Sequence, residues 1–114
     1  MTTIFDAFNL VDRVAVVTGG AGLLGAGFCR TLAEAGAAVV VADLNAEKSA
    51  AMADSLVQIG HRALPVPTDI TQPASRNALV ERVSATFGRL DVLVNSAALD
   101  PKFDPDALSK GTLP

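Results

Sequence analysis

The sequence predicts an α/β protein with a doubly wound parallel sheet of four strands. Short segments rich in Val and Ala alternate along the chain with longer segments whose apolar residues recur at helical spacing. A glycine-rich turn directly follows the first predicted strand and opens the first predicted helix. Strands that alternate with helices in this way are typical of parallel sheets with right-handed crossover connections.

The first predicted strand covers residues 13–17, and a helix over residues 23–35 follows it. Three apolar residues at four-residue spacing predict the apolar face of this helix: Leu24, Phe28 and Leu32. Gly36 is expected to end the helix, because glycine readily adopts the left-handed conformation found just past a helix C-terminus.

The second predicted strand covers residues 37–42 and ends at Asp43. Asn45 predicts the start of a second helix, since an asparagine side chain can accept a hydrogen bond from the first helical turn. Gly60 is expected to end this helix, and its buried face is expected to comprise Met52, Leu56 and Ile59.

The third predicted strand, residues 62–66, contains Pro65 and precedes Pro67. Because proline cannot donate a backbone hydrogen bond, this strand is expected at an edge of the sheet. The strand order 3-2-1-4 meets that requirement. It also places the first two helices on one face of the sheet and the third helix on the other, because the direction of the crossovers reverses.

Thr71 predicts the start of the third helix, with Pro73 in its first turn. The apolar face of this helix is expected to comprise Leu79, Val83 and Phe87, and Gly88 should end it. The fourth predicted strand covers residues 90–94 and ends at Asn95.

Composition argues against several classes of protein. The net charge is −3 and no stripe of basic residues indicates a nucleic-acid partner. No apolar segment reaches the ~18 residues of a membrane span without interruption by glycine. The single cysteine, Cys29, excludes an intrachain disulfide and is expected in the core. No metal site is predicted, and a cytoplasmic location is expected.

The glycine-rich turn predicts a dinucleotide site. Gly20, Gly22 and Gly25 fit the pattern G-x-G-x-x-G, and Asp43 lies 18 residues after Gly25. In a Rossmann-type sheet, such glycines allow close backbone approach, the helix N-terminus attracts a diphosphate, and the acidic residue binds a ribose. The alternative is a tight turn without a ligand. Residues 1–98 are thus predicted to form a Rossmann-type nucleotide-binding half-domain, truncated after the fourth strand, with residues 99–114 as a loop or tail.

Four motifs follow one another between residues 13 and 98. They are Thr18-Gly19-Gly20-Ala21-Gly22-Leu23-Leu24-Gly25, Asp43, Asp69-Ile70-Thr71 and Asn95-Ser96-Ala97-Ala98. In this order and at these spacings they resemble the short-chain dehydrogenase/reductase family. The resemblance implies a Rossmann fold, a nicotinamide cofactor, and hydride transfer between that cofactor and an alcohol or carbonyl substrate.

The resemblance also implies roles for residues of the turn and the second strand. Gly19, Gly22 and Gly25 would shape the turn around the cofactor. Leu24 would offer its backbone N–H to the diphosphate, and Asp43 would hold the hydroxyls of the adenosine ribose.

Further roles follow for residues beyond the second strand. Leu44 would lie beside the adenine. Asp69 would accept a hydrogen bond from the adenine amino group, with Ile70 packed next to it. Asn95 would fix the fourth strand to its neighbour, and Ala97 would line the cofactor near the nicotinamide ribose.

The sequence departs from the commonest patterns of the family in two motifs, the first of which is T-G-x-x-x-G-x-G. Leu23 occupies the place of the middle glycine, and the resulting T-G-x-x-G-x-x-G spacing resembles the extended branch, which modifies sugar nucleotides. The segment that starts at Asn95 instead resembles the N-N-A-G of the dehydrogenase branch, with Ala98 in place of Gly. The extended branch usually has His-Leu-Ala-Ala there, so the second motif favours the dehydrogenase branch.

The chemistry of the family uses a Ser together with a Tyr and a Lys that lie four residues apart on one helix. This chain has no tyrosine, and its three lysines, Lys48, Lys102 and Lys110, cannot complete that pair. No catalytic residue is therefore predicted in this chain. The expectation is a truncated chain that is inactive alone.

Three functions remain open. The first is the cofactor-binding part of an NAD-dependent dehydrogenase or reductase, the second an extended-branch epimerase or dehydratase, and the third a non-catalytic nucleotide-binding module. NAD is favoured over NADP, because Asp43 would repel the additional phosphate of NADP and neither Leu44 nor Asn45 offers a cation. A small-molecule substrate and a homo-oligomer of the complete protein are expected.

Overall fold

The computed structural model describes residues 3–97 of the 114-residue chain. The predicted tail, residues 99–114, lies outside the described residues, and so does Ala98. Within residues 3–97 the strands are β1 Val14–Thr18, β2 Ala38–Asp43, β3 Ala63–Pro67 and β4 Val92–Asn95. The helices are α1 Ile4–Ala7, α2 Leu23–Glu34, α3 Ala46–Gln58 and α4 Pro73–Phe87.

The four strands form one parallel sheet in the order β3-β2-β1-β4, which confirms the predicted fold and topology. β3 lies at an edge, where its prolines Pro65 and Pro67 cost little hydrogen bonding. Each strand ends one residue later than predicted. In β1, β2 and β4 the parallel pairing includes the polar residue that follows the apolar run, and in β3 it includes Pro67, which is paired with Asp43. Thr18, Asp43 and Asn95 are therefore the last residues of their strands.

The core has one layer on each face of the sheet, as predicted. On the first face, α2 and α3 cover the sheet through a buried cluster that comprises Val17, Cys29, Ala33, Val39, Val41, Met52, Ala53 and Leu56. On the second face, α4 packs through Leu79 and Val83, with Phe87 half-buried, against β-strand residues that include Val14, Val16 and Val40. Among the described helices, none is both long enough and apolar enough to cross a membrane.

The buried face of α2 differs from the prediction by one residue. Gly25, Cys29 and Ala33 face the sheet, whereas Leu24 is 72% exposed and Phe28 is also exposed. Small residues let the helix axis approach the sheet closely, so the contact runs along them and not along the larger side chains. Leu32, the third predicted residue, packs at the border of the cluster.

α3 begins where predicted, with the Asn45 side chain accepting a hydrogen bond from the N–H of Lys48. Met52 and Leu56 are buried as expected, but Ile59 is 68% exposed. The prediction for Ile59 was wrong because the helix ends at Gln58. Ile59 therefore lies outside the buried face of the helix, directly before Gly60, which has a positive φ.

Asp91 fixes the start of β4 against β1 at the edge of the sheet remote from the strand carboxyl ends. Its Oδ2 accepts a hydrogen bond from the N–H of Val14 at 2.8 Å, and Arg89 donates to both carboxylate oxygens. Arg13 lies 3.6 Å from the same carboxylate. The Arg89 guanidinium and the Val14 N–H lower the pKa of Asp91 to about 2, so the carboxylate stays charged across the physiological range.

We expect the 114-residue chain to self-associate. β4 pairs with β1 on one side and is an edge of the described sheet, and Leu93 on this strand is 55% exposed. Val80 and Leu90 nearby are exposed as well. An open apolar edge of this kind offers unpaired N–H and C=O groups to a second chain.

Sedimentation velocity over a range of concentrations measures this association. A lysine at the edge should weaken it, so Leu93→Lys is expected to shift the distribution towards monomer. A well-folded monomer at high concentration for the unsubstituted chain would contradict the prediction.

Candidate cofactor-binding site

A cleft of about 250 Å³ lies at the carboxyl edge of the sheet. In a parallel sheet with this strand order, ligands bind where the strand order reverses, here beside β1 and β4. Seven of the ten predicted cofactor-binding residues line the cleft, namely Gly19, Gly22, Asp43, Leu44, Asp69, Ile70 and Ala97. The other lining residues are Ala42, Thr68, Thr71 and Ser96. Leu24, Gly25 and Asn95 are not among them.

The glycine turn between β1 and α2 leaves no room for side chains, most clearly at Gly19 and Gly25. Gly19 has φ +66°, and a Cβ there would lie 2.8 Å from the Cα of Ala97. A Cβ at Gly25 would overlap the carbonyl oxygen of Gly19. The turn therefore folds directly onto the start of α2 and onto the loop after β4, which explains why Gly25 is needed although it does not line the cleft.

The N-terminus of α2 opens at this turn. Gly22 is its N-cap residue, and no side chain caps the helix. The first N–H groups of a helix have no intrahelical partner and carry a partial positive charge, so they attract an anion such as a diphosphate. The side chain of Leu24 is exposed, which is compatible with a role played by its backbone N–H alone.

Both carboxylate oxygens of Asp43 accept hydrogen bonds from backbone N–H groups. Oδ2 accepts from Ala21 in the glycine turn at 3.1 Å, and Oδ1 accepts from Asn45 at 2.9 Å. The carboxylate is thus held in one orientation at the rim of the cleft, between the turn and the end of β2. An ionised carboxylate has about four acceptor sites, so it can still accept bonds from a ligand.

The loop after β3 forms the opposite wall. Asp69 Oδ1 accepts hydrogen bonds from the N–H and the hydroxyl of Thr71 at 3.0 and 2.6 Å, and these bonds lower the pKa of Asp69. Ser75 accepts from the N–H of Asp69, and Arg76 donates to the carbonyl of Ile70, so the start of α4 holds the loop. The loop is therefore rigidly connected to the helix that follows it.

Thr71 was predicted to cap α4, and this prediction was wrong. The N-cap residue is Gln72, without a side-chain cap bond, and Pro73 occupies the first turn as expected. The Thr71 hydroxyl donates to Asp69 instead, because proline removes one of the N–H groups that a cap would satisfy.

The third wall follows β4 and is joined to β1 through Thr18. The N–H and the hydroxyl of Ser96 both donate to the Thr18 carbonyl oxygen, and the N–H of Ala97 lies 3.4 Å from the Thr18 hydroxyl. Asn95, expected to fix this strand, contacts the Thr18 hydroxyl at 3.5 Å. Thr18 and Ser96 carry more of this connection than was predicted. A hydroxyl residue at the end of each of these adjacent strands was the feature of the sequence that could have predicted this connection.

The charge of the cleft is negative. Asp43 and Asp69 line it, and no lysine, arginine or histidine is among the lining residues described. Within residues 3–97, no group of three or more His, Cys, Asp or Glu side chains could hold a metal ion. The arrangement thus offers a positive helix N-terminus for an anionic group and two carboxylates for hydroxyl or amino donors.

Comparison with known proteins assigns the chain to a family. The family model described as short chain dehydrogenase matches residues 13–111. The chain belongs to the short-chain dehydrogenase family. This membership favours the dehydrogenase branch over the extended branch, in agreement with the motif that starts at Asn95.

Among curated members of the short-chain dehydrogenase family, two relatives illustrate the similarity. The chain is 52% identical over 92 residues to cis-4-hydroxycyclohexanecarboxylate dehydrogenase of Sinomonas cyclohexanicum, covering 80% of this chain and 36% of that protein. It is 44% identical over 97 residues to 4-formylbenzenesulfonate dehydrogenase TsaC1/TsaC2 of Comamonas testosteroni, covering 85% of this chain and 38% of that protein.

Solved structures of family members share the fold. A hydroxysteroid dehydrogenase from Escherichia coli superposes with a TM-score of 0.78 at 33% identity, covering 83% of this chain and 41% of that one. A putative D-mannonate oxidoreductase from Haemophilus influenza with bound NAD gives a TM-score of 0.79 at 26% identity, covering 92% of this chain and 36% of that one. The chain thus spans 36 to 41% of the length of these four proteins.

Proposed function

We propose that this chain is the cofactor-binding part of an NAD-dependent dehydrogenase or reductase. The observation that carries the proposal is the juxtaposition of the uncapped N-terminus of α2 with the fixed carboxylate of Asp43 at one cleft. These are the two groups that a dinucleotide needs, one for its diphosphate and one for its adenosine ribose. The bound NAD of the D-mannonate oxidoreductase neighbour supports the same assignment.

The residues of the cleft, with Leu24, Gly25 and Asn95 at its border, would hold NAD along its length. Asp43 would accept hydrogen bonds from the ribose hydroxyls, and the backbone of Gly22 and Leu24 would face the diphosphate. Leu44 and Ile70 would cover the adenine, with Asp69 accepting from its amino group. Ala97 would line the cofactor near the nicotinamide ribose, Asn95 would fix β4 to its neighbour, and Gly19 and Gly25 would shape the turn.

Bound NAD would supply a nicotinamide that accepts hydride from an alcohol, or donates it as NADH to a carbonyl. The residues of this chain would bind and orient the cofactor. The substrate is proposed to be a small alcohol or carbonyl compound, and the complete protein is proposed to be a cytoplasmic homo-oligomer.

The chain is expected to bind NAD at least about tenfold more tightly than NADP. NADP places a phosphate where NAD has a ribose hydroxyl, next to a carboxylate that two backbone N–H groups hold in place. No cation lines the described cleft to offset this repulsion. Isothermal titration calorimetry with each nucleotide at one salt concentration measures the two dissociation constants.

Asp43→Ala should shrink this preference, because it removes the repelling charge. Asp54→Ala is the matched control, since Asp54 is an exposed carboxylate of α3 that bonds Gln58 and does not line the cleft. It should leave the ratio of the two dissociation constants unchanged. Equal or tighter binding of NADP by the unsubstituted chain would overturn the assignment of NAD.

We expect the 114-residue chain to show no nicotinamide-dependent turnover above background. The sequence contains no tyrosine, so the proton-transferring pair of the family has no counterpart in it. The measurement is the change in NADH absorbance with panels of alcohols and carbonyl compounds. Robust turnover by protein verified to contain these 114 residues alone would contradict this expectation.

A second candidate function is a non-catalytic nucleotide-binding module, because the groups that the described cleft offers are groups that bind a nucleotide. The reading frame beyond the codon for Pro114 distinguishes the two. Continuation to a Tyr-x-x-x-Lys sequence supports the enzyme, and a stop codon supports the module.

A further inference from the structure

One peptide unit of the glycine turn is held at both of its polar atoms. The carbonyl oxygen of Gly20 accepts a hydrogen bond from the thiol of Cys29, with the sulfur 3.7 Å away. The N–H of the same peptide, which belongs to Ala21, donates to Asp43 Oδ2 at 3.1 Å. The peptide between Gly20 and Ala21 therefore connects a buried thiol of α2 with the carboxylate at the cleft.

The thiol lies in a site that suits a fixed donor. Cys29 is fully buried between α2 and the sheet, and burial raises its pKa to about 11. The group is consequently a thiol, not a thiolate, and it retains the proton with which it donates a hydrogen bond to the Gly20 carbonyl. A Cβ at Gly20 would lie 3.2 Å from the sulfur and 2.9 Å from the carbonyl oxygen of Val17, so there is no room for a side chain between this backbone and the thiol.

We infer that Cys29 is a positioning residue for cofactor selectivity, which acts on Asp43 through the Gly20–Ala21 peptide. The inference rests on the proposed function, since it concerns how the same cleft discriminates NAD from NADP. Cys29 does not line the cleft. Its effect is to keep the Ala21 N–H directed at the carboxylate.

The physical basis is cooperativity along a short chain of hydrogen bonds. A peptide whose N–H is bound by a carboxylate has a more polarised carbonyl, and the thiol bond to that carbonyl strengthens in turn. Without the thiol, the peptide can tilt and the carboxylate loses part of the contact that fixes it. A less fixed carboxylate can turn away from the additional phosphate of NADP, which weakens the discrimination.

The first test compares nucleotide selectivity. Cys29→Ala is expected to lower the preference for NAD over NADP by about threefold, as loss of a weak hydrogen bond allows. Cys29→Ser keeps a donor and should restore part of the preference. Val39→Ala is the control for packing, because Val39 lies in the same buried cluster away from the turn. It should lower thermal stability without changing the ratio of dissociation constants.

The second test needs no nucleotide. The chain has one cysteine, so its infrared S–H stretching band belongs to Cys29 alone. Asp43→Ala should move this band to higher frequency, because the Gly20 carbonyl becomes a weaker acceptor. Asp54→Ala should leave the band in place. Circular dichroism confirms that each variant is folded.

The two tests separate the inference from the proposed function. If the chain binds neither nucleotide, the proposed function fails, and the infrared comparison still decides whether Cys29 and Asp43 are coupled. An S–H band that Asp43→Ala does not move would overturn the coupling. A selectivity ratio that Cys29→Ala leaves unchanged, in a chain that binds NAD, would overturn the positioning role.

Discussion

Replacing Gly25 by alanine is expected to weaken binding of NAD by at least about a hundredfold. The added methyl group would overlap the carbonyl oxygen of Gly19 and lie 2.8 Å from the Cα of Gly20, so the turn must move away from α2. The proposed diphosphate site consists of backbone N–H groups at this junction. Because a displacement of about 1 Å at a positioned group can cost about a hundredfold, we expect the dissociation constant to rise at least that much.

Gly27→Ala provides the matched control in the same helix. A Cβ at Gly27 meets nothing within 4 Å, and alanine is the better helix former. This variant should bind NAD as the unsubstituted chain does and should be more stable by about 0.5–1 kcal/mol. Calorimetric titration and urea denaturation measure the two quantities. Unchanged NAD binding by Gly25→Ala would show that the turn is not part of the site.

Leu56→Ala is expected to cause the largest loss of stability, about 3 kcal/mol. Leu56 is the largest of the fully buried side chains, and it joins α3 to the first face of the sheet. Its truncation removes apolar contact and leaves a cavity that close packing cannot fill. Urea denaturation followed by circular dichroism gives the free energy of unfolding.

Ile59→Ala tests the same chemical change three positions further on. Ile59 lies beyond the end of α3 and is mostly exposed, so its truncation should change the free energy of unfolding by no more than about 0.5 kcal/mol. Equal losses for the two variants would mean that α3 continues past Gln58 and buries Ile59.

The order of the strands and the position of the helices could be predicted because hydrophobic runs, glycines and prolines each limit the fold in a different way. Pro65 and Pro67 fit only an edge position, and the order expected from alternating strands and helices puts β3 there, as the structure does. The rotation of α2 could not be predicted from spacing, because Leu24, Phe28 and Leu32 have the same periodicity as the smaller residues one position later. Which of the two rows faces the sheet depends on how closely the helix can approach, which is a property of tertiary packing.

The parts of the candidate site that could be predicted are those in which one residue type has one structural role. Glycines at a strand-to-helix turn and an acidic residue after the next strand could be recognised, and the structure brings them to one cleft. The hydrogen bonds that hold the cleft together could not be predicted from the sequence. The Ser96 contacts with Thr18 and the Thr71 bond to Asp69 depend on side-chain directions at strand ends, where many polar pairs are equally compatible with the sequence.

The connection between Thr18 and Ser96 also bears on the order in which the site assembles. These residues lie 78 positions apart, whereas Ala21 and Asp43 lie 22 apart. Closing the longer loop costs more chain entropy, and contacts at large sequence separation slow folding. The side of the cleft that Ala21 and Asp43 border can thus form while a nascent chain is still being extended. The side that Ser96 borders must wait until β4 has been synthesised and has docked beside β1.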